Sequence, residues 1–221
     1  MELTVKDVAK MLSLPEMTIM RWIRQGKIPF QWKNGRYVFD KKQLVNWARL
    51  HNMPLREINL LKNGNEEENI TLSEAIRRGG VFLGIRGETV EEVFKEAVNL
   101  LPLPSYVNRD DLLEKLIQRE ELCSTGIGEG IAIPHPRYPV EGLRTMVAVF
   151  FLEKEIDFKA VDGKPVFVMF FILSSSTKIH LRLLSRLSFC LKKKDFLKFL
   201  RKCNNAEELI NKIQRLESSI K

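Results

Sequence analysis

The chain has 221 residues, which allows one large domain or two domains of unequal size. Its longest uninterrupted apolar run, residues 166–173, is far shorter than the roughly 20 residues that a membrane-spanning helix needs. Charged residues interrupt the N-terminus, so it lacks the apolar stretch of a signal peptide. These features predict no membrane insertion and a cytoplasmic location.

The three cysteines, Cys123, Cys190 and Cys203, are an odd number at wide spacings and form no paired metal-ligand motif. We therefore expect reduced thiols, with neither a disulfide nor a zinc site.

The net charge of +8 is distributed unevenly along the chain. Residues 1–62 contain 12 Lys and Arg against 5 Asp and Glu, whereas residues 63–221 contain 24 against 23. The first segment thus has a net charge of +7 and the second a net charge of +1. Such an asymmetry indicates a basic module for a polyanion, joined to an electrically balanced domain.

The basic segment begins with two predicted helices and a hairpin. Thr4 and Asp7 have the spacing of a helix cap, and a second helix is predicted over residues 15–25, before Gly26. Strands are predicted near residues 28–32 and 36–39. They are joined at Asn34-Gly35, the strongest short signal for a tight turn. A third helix is expected from Asp40 onward.

This order of elements resembles the winged helix-turn-helix of the MerR and excisionase type. The resemblance is carried by Thr18, Arg21-Trp22-Ile23, Gly26-Lys27 and Gly35-Arg36. It implies that residues 1–52 form a DNA-binding domain, with the second helix in the major groove and the hairpin against phosphates or the minor groove. The residues expected to contact DNA are Thr18, Arg21, Arg24, Lys33 and Arg36.

A single motif of this kind offers few base contacts, so specific binding is expected to need a homodimer or a partner protein. Helix-turn-helix patterns also match proteins that do not bind DNA. Docking of a protein by this module therefore stays open as an alternative.

Residues 53–69 lose periodicity and become polar, which predicts a linker. After it, Thr71 with Glu74 and Thr89 with Glu92 have the spacing of capping boxes. Short apolar runs rich in Val and Phe are typical of buried strands, and helical patterns surround them. The runs cover residues 146–152 and 166–173, and the helices residues 109–121, 179–193 and 206–216. The sequence thus predicts an α/β domain over residues 70–221.

The segment from Arg119 to His135 carries the chemistry of this domain. Ser124 and Thr125 precede three glycines at alternate positions, which allow backbone N–H groups to approach an anion. His135 ends the apolar stretch that follows. Its imidazole is a nucleophile that is largely neutral at physiological pH, so the residue types fit reversible phosphoryl transfer.

The same segment closely resembles the active-site signature of the type 2 enzyme IIA domains of the bacterial phosphotransferase system, the fructose, mannitol and nitrogen-regulatory group. The resemblance continues through Asp162-Gly163-Lys164-Pro165-Val166 and His180-Leu181-Arg182-Leu183-Leu184, and covers essentially all of residues 70–221. It implies a mixed sheet flanked by helices. The phosphoryl donor in that family is a small phosphohistidine carrier protein.

Carried over position by position, the resemblance implies that His135 is the phosphorylated residue. His180 would orient His135 or the phosphoryl group, and Arg119 would offer a positive charge to the phosphoryl oxygens. The phosphoryl-binding residues implied are Ser124, Thr125 and Gly126. No cofactor and no metal are implied, because a metal on His135 and His180 would lack a third ligand cluster.

Together the two modules predict a phosphohistidine carrier whose phosphorylation is coupled to DNA binding, hence a transcriptional regulator. The alternative is a plain sugar-uptake component whose N-terminal module docks a protein. The sequence leaves open the sugar or nitrogen role, the DNA target, the sign of the coupling and the downstream phosphoryl acceptor.

Overall fold

The computed structural model describes residues 2–12, 14–33, 35–40, 43, 44, 47, 48, 51, 69–105, 107–140 and 143–219. The chain divides into two compact units, residues 1–63 and 64–221. Asn34 of the predicted turn and nearly all of the predicted linker lie outside the described residues. Within the described part of the chain, no helix is both long and apolar enough to span a membrane.

The described part of the N-terminal unit includes two short helices and a three-stranded sheet. Its elements are β1 (Glu2–Leu3), α1 (Val5–Leu12), α2 (Glu16–Arg24), β2 (Gln31–Lys33) and β3 (Arg36–Asp40). The strands are antiparallel in the order β1-β3-β2. Leu44 and Trp47 are helical, as the predicted third helix requires. The buried core includes Val8, Leu12, Ile19, Ile23 and Phe39.

Local sequence signals explain where these elements begin. Three hydrogen bonds join Thr4 and Asp7: the Thr4 N–H (2.9 Å) and the Thr4 hydroxyl (2.7 Å) donate to Asp7 Oδ2, and the Asp7 N–H donates to Thr4 Oγ1 (3.3 Å). Strand β2 begins at Gln31, three residues later than predicted. Pro29 explains the difference, since it has no N–H to donate to a strand ladder.

The C-terminal unit alternates helices with the strands of one five-stranded sheet. Its elements are α3 (Leu72–Gly79), β4 (Val81–Ile85), α4 (Val90–Leu100), α5 (Arg109–Leu122), β5 (Gly126–Gly128), β6 (Ile131–Ala132), β7 (Met146–Ile156), β8 (Val166–Leu173), α6 (Thr177–Leu191), α7 (Lys194–Leu200) and α8 (Ala206–Glu217). The strand order is β4-β7-β8-β6-β5. The pairs β4–β7 and β6–β8 are parallel, and β7–β8 and β5–β6 are antiparallel. This mixed sheet confirms the predicted fold class.

Both faces of the central strands are buried, which explains their continuous apolar sequences. Along β8, Phe170 and Ile172 face one core, while Met169 and Phe171 face the other. The first core is completed by side chains of α3, α6, α7 and α8, and the second by side chains of α4 and α5. The sheet is therefore the middle layer of three.

Two predicted helix caps take different forms. Thr71 and Glu74 form the complete reciprocal capping box. Thr89 accepts a hydrogen bond from the Glu92 N–H (3.2 Å), but the Glu92 carboxylate accepts from the Glu88 N–H (2.8 Å) instead of closing the box. Both arrangements satisfy N–H groups that have no partner within the helix.

The carboxylate of Glu217, near the end of α8, ties distant parts of the C-terminal unit together. It is 6% exposed and accepts from the N–H groups of Leu72 (2.6 Å) and Ser73 (2.9 Å), which begin α3. The Ser73 hydroxyl (2.8 Å) and Arg186 of α6 (3.0 Å) also donate to it. One buried charge therefore joins three helices.

We predict that Glu217→Gln destabilises the protein by about 3 kcal/mol, because Arg186 loses its buried partner and an amide NH₂ then faces backbone N–H donors. Urea unfolding should show a lower midpoint with an unchanged slope. Glu207→Gln is the matched control, since it removes the same charge from the exposed pair with Arg77, and it should change stability by less than about 1 kcal/mol. Equal effects of the two substitutions would contradict the role assigned to Glu217.

Candidate active site

His135 lies just after β6, and its ring is held by the backbone. The ring Nδ1 is 2.8 Å from the Ile133 carbonyl oxygen. Because a carbonyl oxygen only accepts, this hydrogen bond places the ring proton on Nδ1. Nε2 is then left with its lone pair. The backbone itself is anchored by the bonds Ile133 N–H to the Thr125 carbonyl and Ile172 N–H to the Pro134 carbonyl, both 3.0 Å.

His180 lies in the first turn of α6 and comes close to His135. The helix is capped by the Ser176 hydroxyl, which accepts from the Ile179 N–H (3.3 Å). The ring centroids of His135 and His180 are 4.8 Å apart and the ring planes are inclined by 45°. Both side chains are half-buried. The fold thus pairs two imidazoles that are 45 residues apart in the sequence.

The environment keeps both rings neutral at physiological pH. Burial lowers the pKa of His135, and the charge of Arg119 lowers it further, while the hydrogen bond to Ile133 and the charge of Glu120 act in the opposite direction. Burial is also the largest cause that lowers the pKa of His180 to about 4, followed by His135 and Arg119. A neutral imidazole is the nucleophilic form.

Arg119, in the last turn of α5, supplies positive charge to the pair. Its Nη1 donates to the Cys123 carbonyl (2.7 Å), a group that the end of the helix leaves without an intrahelical partner. This bond fixes the guanidinium near the start of the loop that leads to His135. The structure therefore brings together all three residues that the sequence predicts to be catalytic, and their roles stay a prediction.

The predicted phosphoryl-binding hydroxyls donate within the protein. The Ser124 hydroxyl contacts the Glu120 carboxylate (3.0 Å) and the Phe158 carbonyl, and the Thr125 hydroxyl donates to Glu120. The Gly126 N–H bonds to Ser124 Oγ (3.0 Å). These contacts organise the loop, so contact of the three residues with a phosphoryl group remains a prediction.

Glu120 is a site residue that the sequence reasoning missed. Its signal was its position in the last turn of α5, four and five residues before the two hydroxyls. A carboxylate at that distance can reach the N–H and hydroxyl groups of the following loop.

The alternate glycines serve the turn between β5 and β6. Gly128 and Gly130 have φ values of 94° and 77°, a region that side chains disfavour. A Cβ on Gly130 would lie 2.7 Å from the Phe167 ring. Among the described residues, no group of three or more His, Cys, Asp or Glu side chains is arranged to hold a metal ion.

The predicted DNA-contacting residues lie on exposed parts of the N-terminal unit. Arg21 and Arg24 are exposed on α2, where Thr18 is half-buried. Lys33 and Arg36 are exposed and pair with each other across the hairpin. Trp32, which the sequence reasoning did not select, is 60% exposed beside them.

Comparison with known families accounts for both units. Residues 74–216 match the family described as phosphoenolpyruvate-dependent sugar phosphotransferase system, EIIA 2, and residues 2–49 match a helix-turn-helix domain family. The first match covers more than half of the chain. The resemblance recognised from the motif is thereby confirmed.

Relatives of the C-terminal unit carry regulatory and sugar-specific names. A nitrogen regulatory protein of Pseudomonas aeruginosa is 34% identical over 145 residues, which are 63% of this chain and 92% of that protein. The fructose-specific EIIABC component of Bacillus subtilis is 30% identical over 147 residues, 65% of this chain and 23% of that protein. The crystal structure of nitrogen regulatory protein IIA-Ntr from Neisseria meningitidis has a TM-score of 0.56 and 31% identity, covering 67% of this chain and 99% of that one. The chain therefore belongs to the type 2 EIIA family of the phosphoenolpyruvate-dependent sugar phosphotransferase system, with a helix-turn-helix domain preceding its EIIA domain.

Proposed function

We propose that His135 accepts a phosphoryl group on Nε2 from a phosphohistidine carrier protein and passes it on, so that the chain acts as a stoichiometric phosphocarrier. The observation that carries this proposal is the pair of neutral imidazoles 4.8 Å apart, one of them with its Nδ1 proton bound to the Ile133 carbonyl. A neutral ring whose tautomer is fixed by the backbone is ready for attack through the opposite nitrogen.

The proposed transfer step forms one P–N bond and breaks another, and it requires no metal or cofactor. The Nε2 lone pair of His135 forms a bond to phosphorus, and the P–N bond of the donor breaks, with its electron pair returning to the donor imidazole. The His135 ring then carries positive charge, which the Ile133 carbonyl stabilises through Nδ1–H. Arg119 and His180 face the phosphoryl oxygens as charge and hydrogen-bond partners.

Exposed apolar side chains near these residues fit a protein partner. Leu122 follows Arg119 by three positions and is 68% exposed, and Leu181 follows His180 directly and is 59% exposed. Apolar side chains on an otherwise charged surface favour docking of another protein. The carrier protein docks on this surface when it donates the phosphoryl group, and the acceptor docks on the same surface when it receives the group.

The helix-turn-helix domain makes the carrier regulatory in this proposal. Arg21 and Arg24 on α2, with Lys33 and Arg36 on the hairpin, give the domain an exposed basic surface suited to the DNA backbone and groove edges. Phosphorylation adds up to two negative charges to residues 63–221, whose net charge is +1. It thereby changes the electrostatic interaction of this domain with residues 1–62, whose net charge is +7.

A second candidate is a sugar-uptake component whose N-terminal domain docks a protein. The similarity to the fructose-specific component of Bacillus subtilis favours it. In that case the same phosphohistidine chemistry supplies a transport partner, and DNA affinity is absent.

We predict that His135→Ala abolishes acid-labile phosphorylation by labelled phosphoenolpyruvate in the presence of a phosphohistidine carrier system, because the nucleophile is lost. The half-buried ring contributes little core volume, so circular dichroism should be unchanged. His51→Ala, the matched control at another histidine, should be phosphorylated at the level of the unaltered protein. Full labelling of His135→Ala would contradict the assignment.

We predict that stability falls as pH decreases from about 6.5 to about 4, and that His180→Gln makes this loss smaller. Unfolded His180 takes up a proton near pH 6.5, whereas the folded side chain does so only near its pKa of about 4, so protons favour the unfolded state between these values. Urea midpoints at pH 7 and pH 5 measure the effect. The same pH dependence in both proteins would contradict the lowered pKa.

We predict that the full-length protein binds duplex DNA with an affinity that falls as salt rises. Arg21→Ala and Arg24→Ala should each weaken binding, and a residue that contacts a phosphate should reduce the salt slope by about 1. Lys198→Ala removes the same charge from an exposed position of the EIIA domain and should leave binding unchanged. The assay is fluorescence anisotropy with a labelled duplex.

Absence of salt-dependent binding to any duplex would favour the docking alternative. Repeating the titration with phosphorylated protein tests the coupling. Unequal affinities support it, and equal affinities leave two independent activities on one chain.

A further inference from the structure

The Glu120 carboxylate lies at the start of a hydrogen-bond chain that ends on the His135 ring. It accepts from the Thr125 N–H (2.9 Å) and from the Thr125 hydroxyl, and it lies 3.0 Å from the Ser124 hydroxyl, whose one proton it shares with the Phe158 carbonyl. Thr125 is only 5% exposed. Two of these three donors belong to this one buried residue, so the carboxylate holds the Thr125 side chain and the peptide plane that precedes the Thr125 Cα.

Between Thr125 and the His135 ring, this hydrogen-bond chain runs through backbone groups only. The Thr125 carbonyl accepts from the Ile133 N–H (3.0 Å). The Ile133 carbonyl accepts from His135 Nδ1 (2.8 Å). Four residues thus connect the last turn of α5 to the nitrogen opposite the nucleophilic one.

We propose that Glu120 is a positioning residue for phosphoryl transfer, and that it holds His135 in the Nδ1–H tautomer and in a fixed orientation through Thr125 and Ile133. The expected effect of Glu120 on the rate of phosphorylation rests on the proposed function. The expected effect of Glu120 on the His135 tautomer does not, because it concerns the unphosphorylated protein alone.

A carboxylate suits this position better than an amide. Both of its oxygens accept, and all the neighbouring groups of the loop donate to it. A glutamine has one accepting oxygen, and its NH₂ would face the Thr125 N–H or the Thr125 hydroxyl. The Thr125 backbone would then be free to rotate about φ and ψ, which would displace the carbonyl, in the following peptide plane, that anchors Ile133.

The charge of Glu120 also favours phosphoryl transfer to His135, in addition to the hydrogen bonds that Glu120 makes. It raises the pKa of that ring, whereas the adjacent Arg119 lowers it. A negative charge at this place stabilises the positive charge that the ring acquires when Nε2 bonds to phosphorus.

The test compares Glu120→Gln with Glu121→Gln in the full-length protein. The control removes the same charge from the next position on the helix, where the side chain is exposed. Two measurements are made: the ¹⁵N chemical shifts of the His135 ring in the free protein, and the initial rate of phosphorylation at varied concentrations of a phosphohistidine carrier protein.

For Glu120→Gln we expect a mixture of the two His135 tautomers, a lower pKa of that ring, and a fall of about 10- to 100-fold in kcat at unchanged KM for the carrier, because small misplacement of a reacting group costs this much. Glu121→Gln should match the unaltered protein in all three. A single Nδ1–H tautomer and an unchanged kcat in folded Glu120→Gln would overturn the proposal, as would equal effects in both variants.

A second pair of variants keeps the test decisive if Glu120→Gln fails to fold. Thr125→Val removes the hydroxyl donor and keeps the backbone N–H, whereas Thr125→Ser keeps both. The valine variant should change the tautomer ratio of His135, whereas the serine variant should keep the ratio of the unaltered protein. If the unaltered protein accepts no phosphoryl group at all, the proposed function fails, and the tautomer measurement still decides the role of Glu120.

Discussion

The hydrogen bond from His135 Nδ1 to the Ile133 carbonyl is the contact on which the candidate site depends. It decides which nitrogen carries the proton, and therefore which nitrogen keeps a lone pair for the proposed attack on phosphorus. The bond joins residues only two positions apart, so it is local in sequence. Its geometry is nevertheless set by distant parts of the fold, because the backbone that bears the carbonyl is held by Thr125 on one side and by the sheet on the other.

The sheet supplies that rigidity through the pairing of a very short strand with a long one. Strand β6 has two residues and runs parallel to β8, with Ile131 opposite Val168 and Ala132 opposite Met169. Strand β8 is buried on both faces. The chain then leaves β8 and begins α6, whose first turn carries His180. Strand β8 therefore holds the backbone that precedes His135 and leads into the helix that carries the second imidazole.

Much of the fold follows from the sequence because its signals are local. Strand β8 is predicted with its observed bounds, 166–173, from an apolar run, and the cap at Thr71 from a glutamate three positions later. Strands β5 and β6 were not predicted, because segments of three and two residues have no period to detect. The role of Glu120 was missed for another reason, since its partners become visible only when the loop after α5 folds back.

Opposing charges around His135 fit the role proposed for it, in which the ring both accepts and releases a phosphoryl group. In that proposal Arg119 attracts the phosphoryl oxygens, which favours acceptance. If His180 carried a second positive charge, the phosphorylated state would gain further stability and onward transfer would slow. Burial prevents this by lowering the pKa of His180 to about 4, which leaves that ring neutral. Glu120 balances Arg119 from the adjacent position on the same helix, so the two neighbouring residues act on one ring in opposite directions. These opposing charges are thus consistent with the proposed transfer in both directions, which needs a balanced site instead of one optimised for binding.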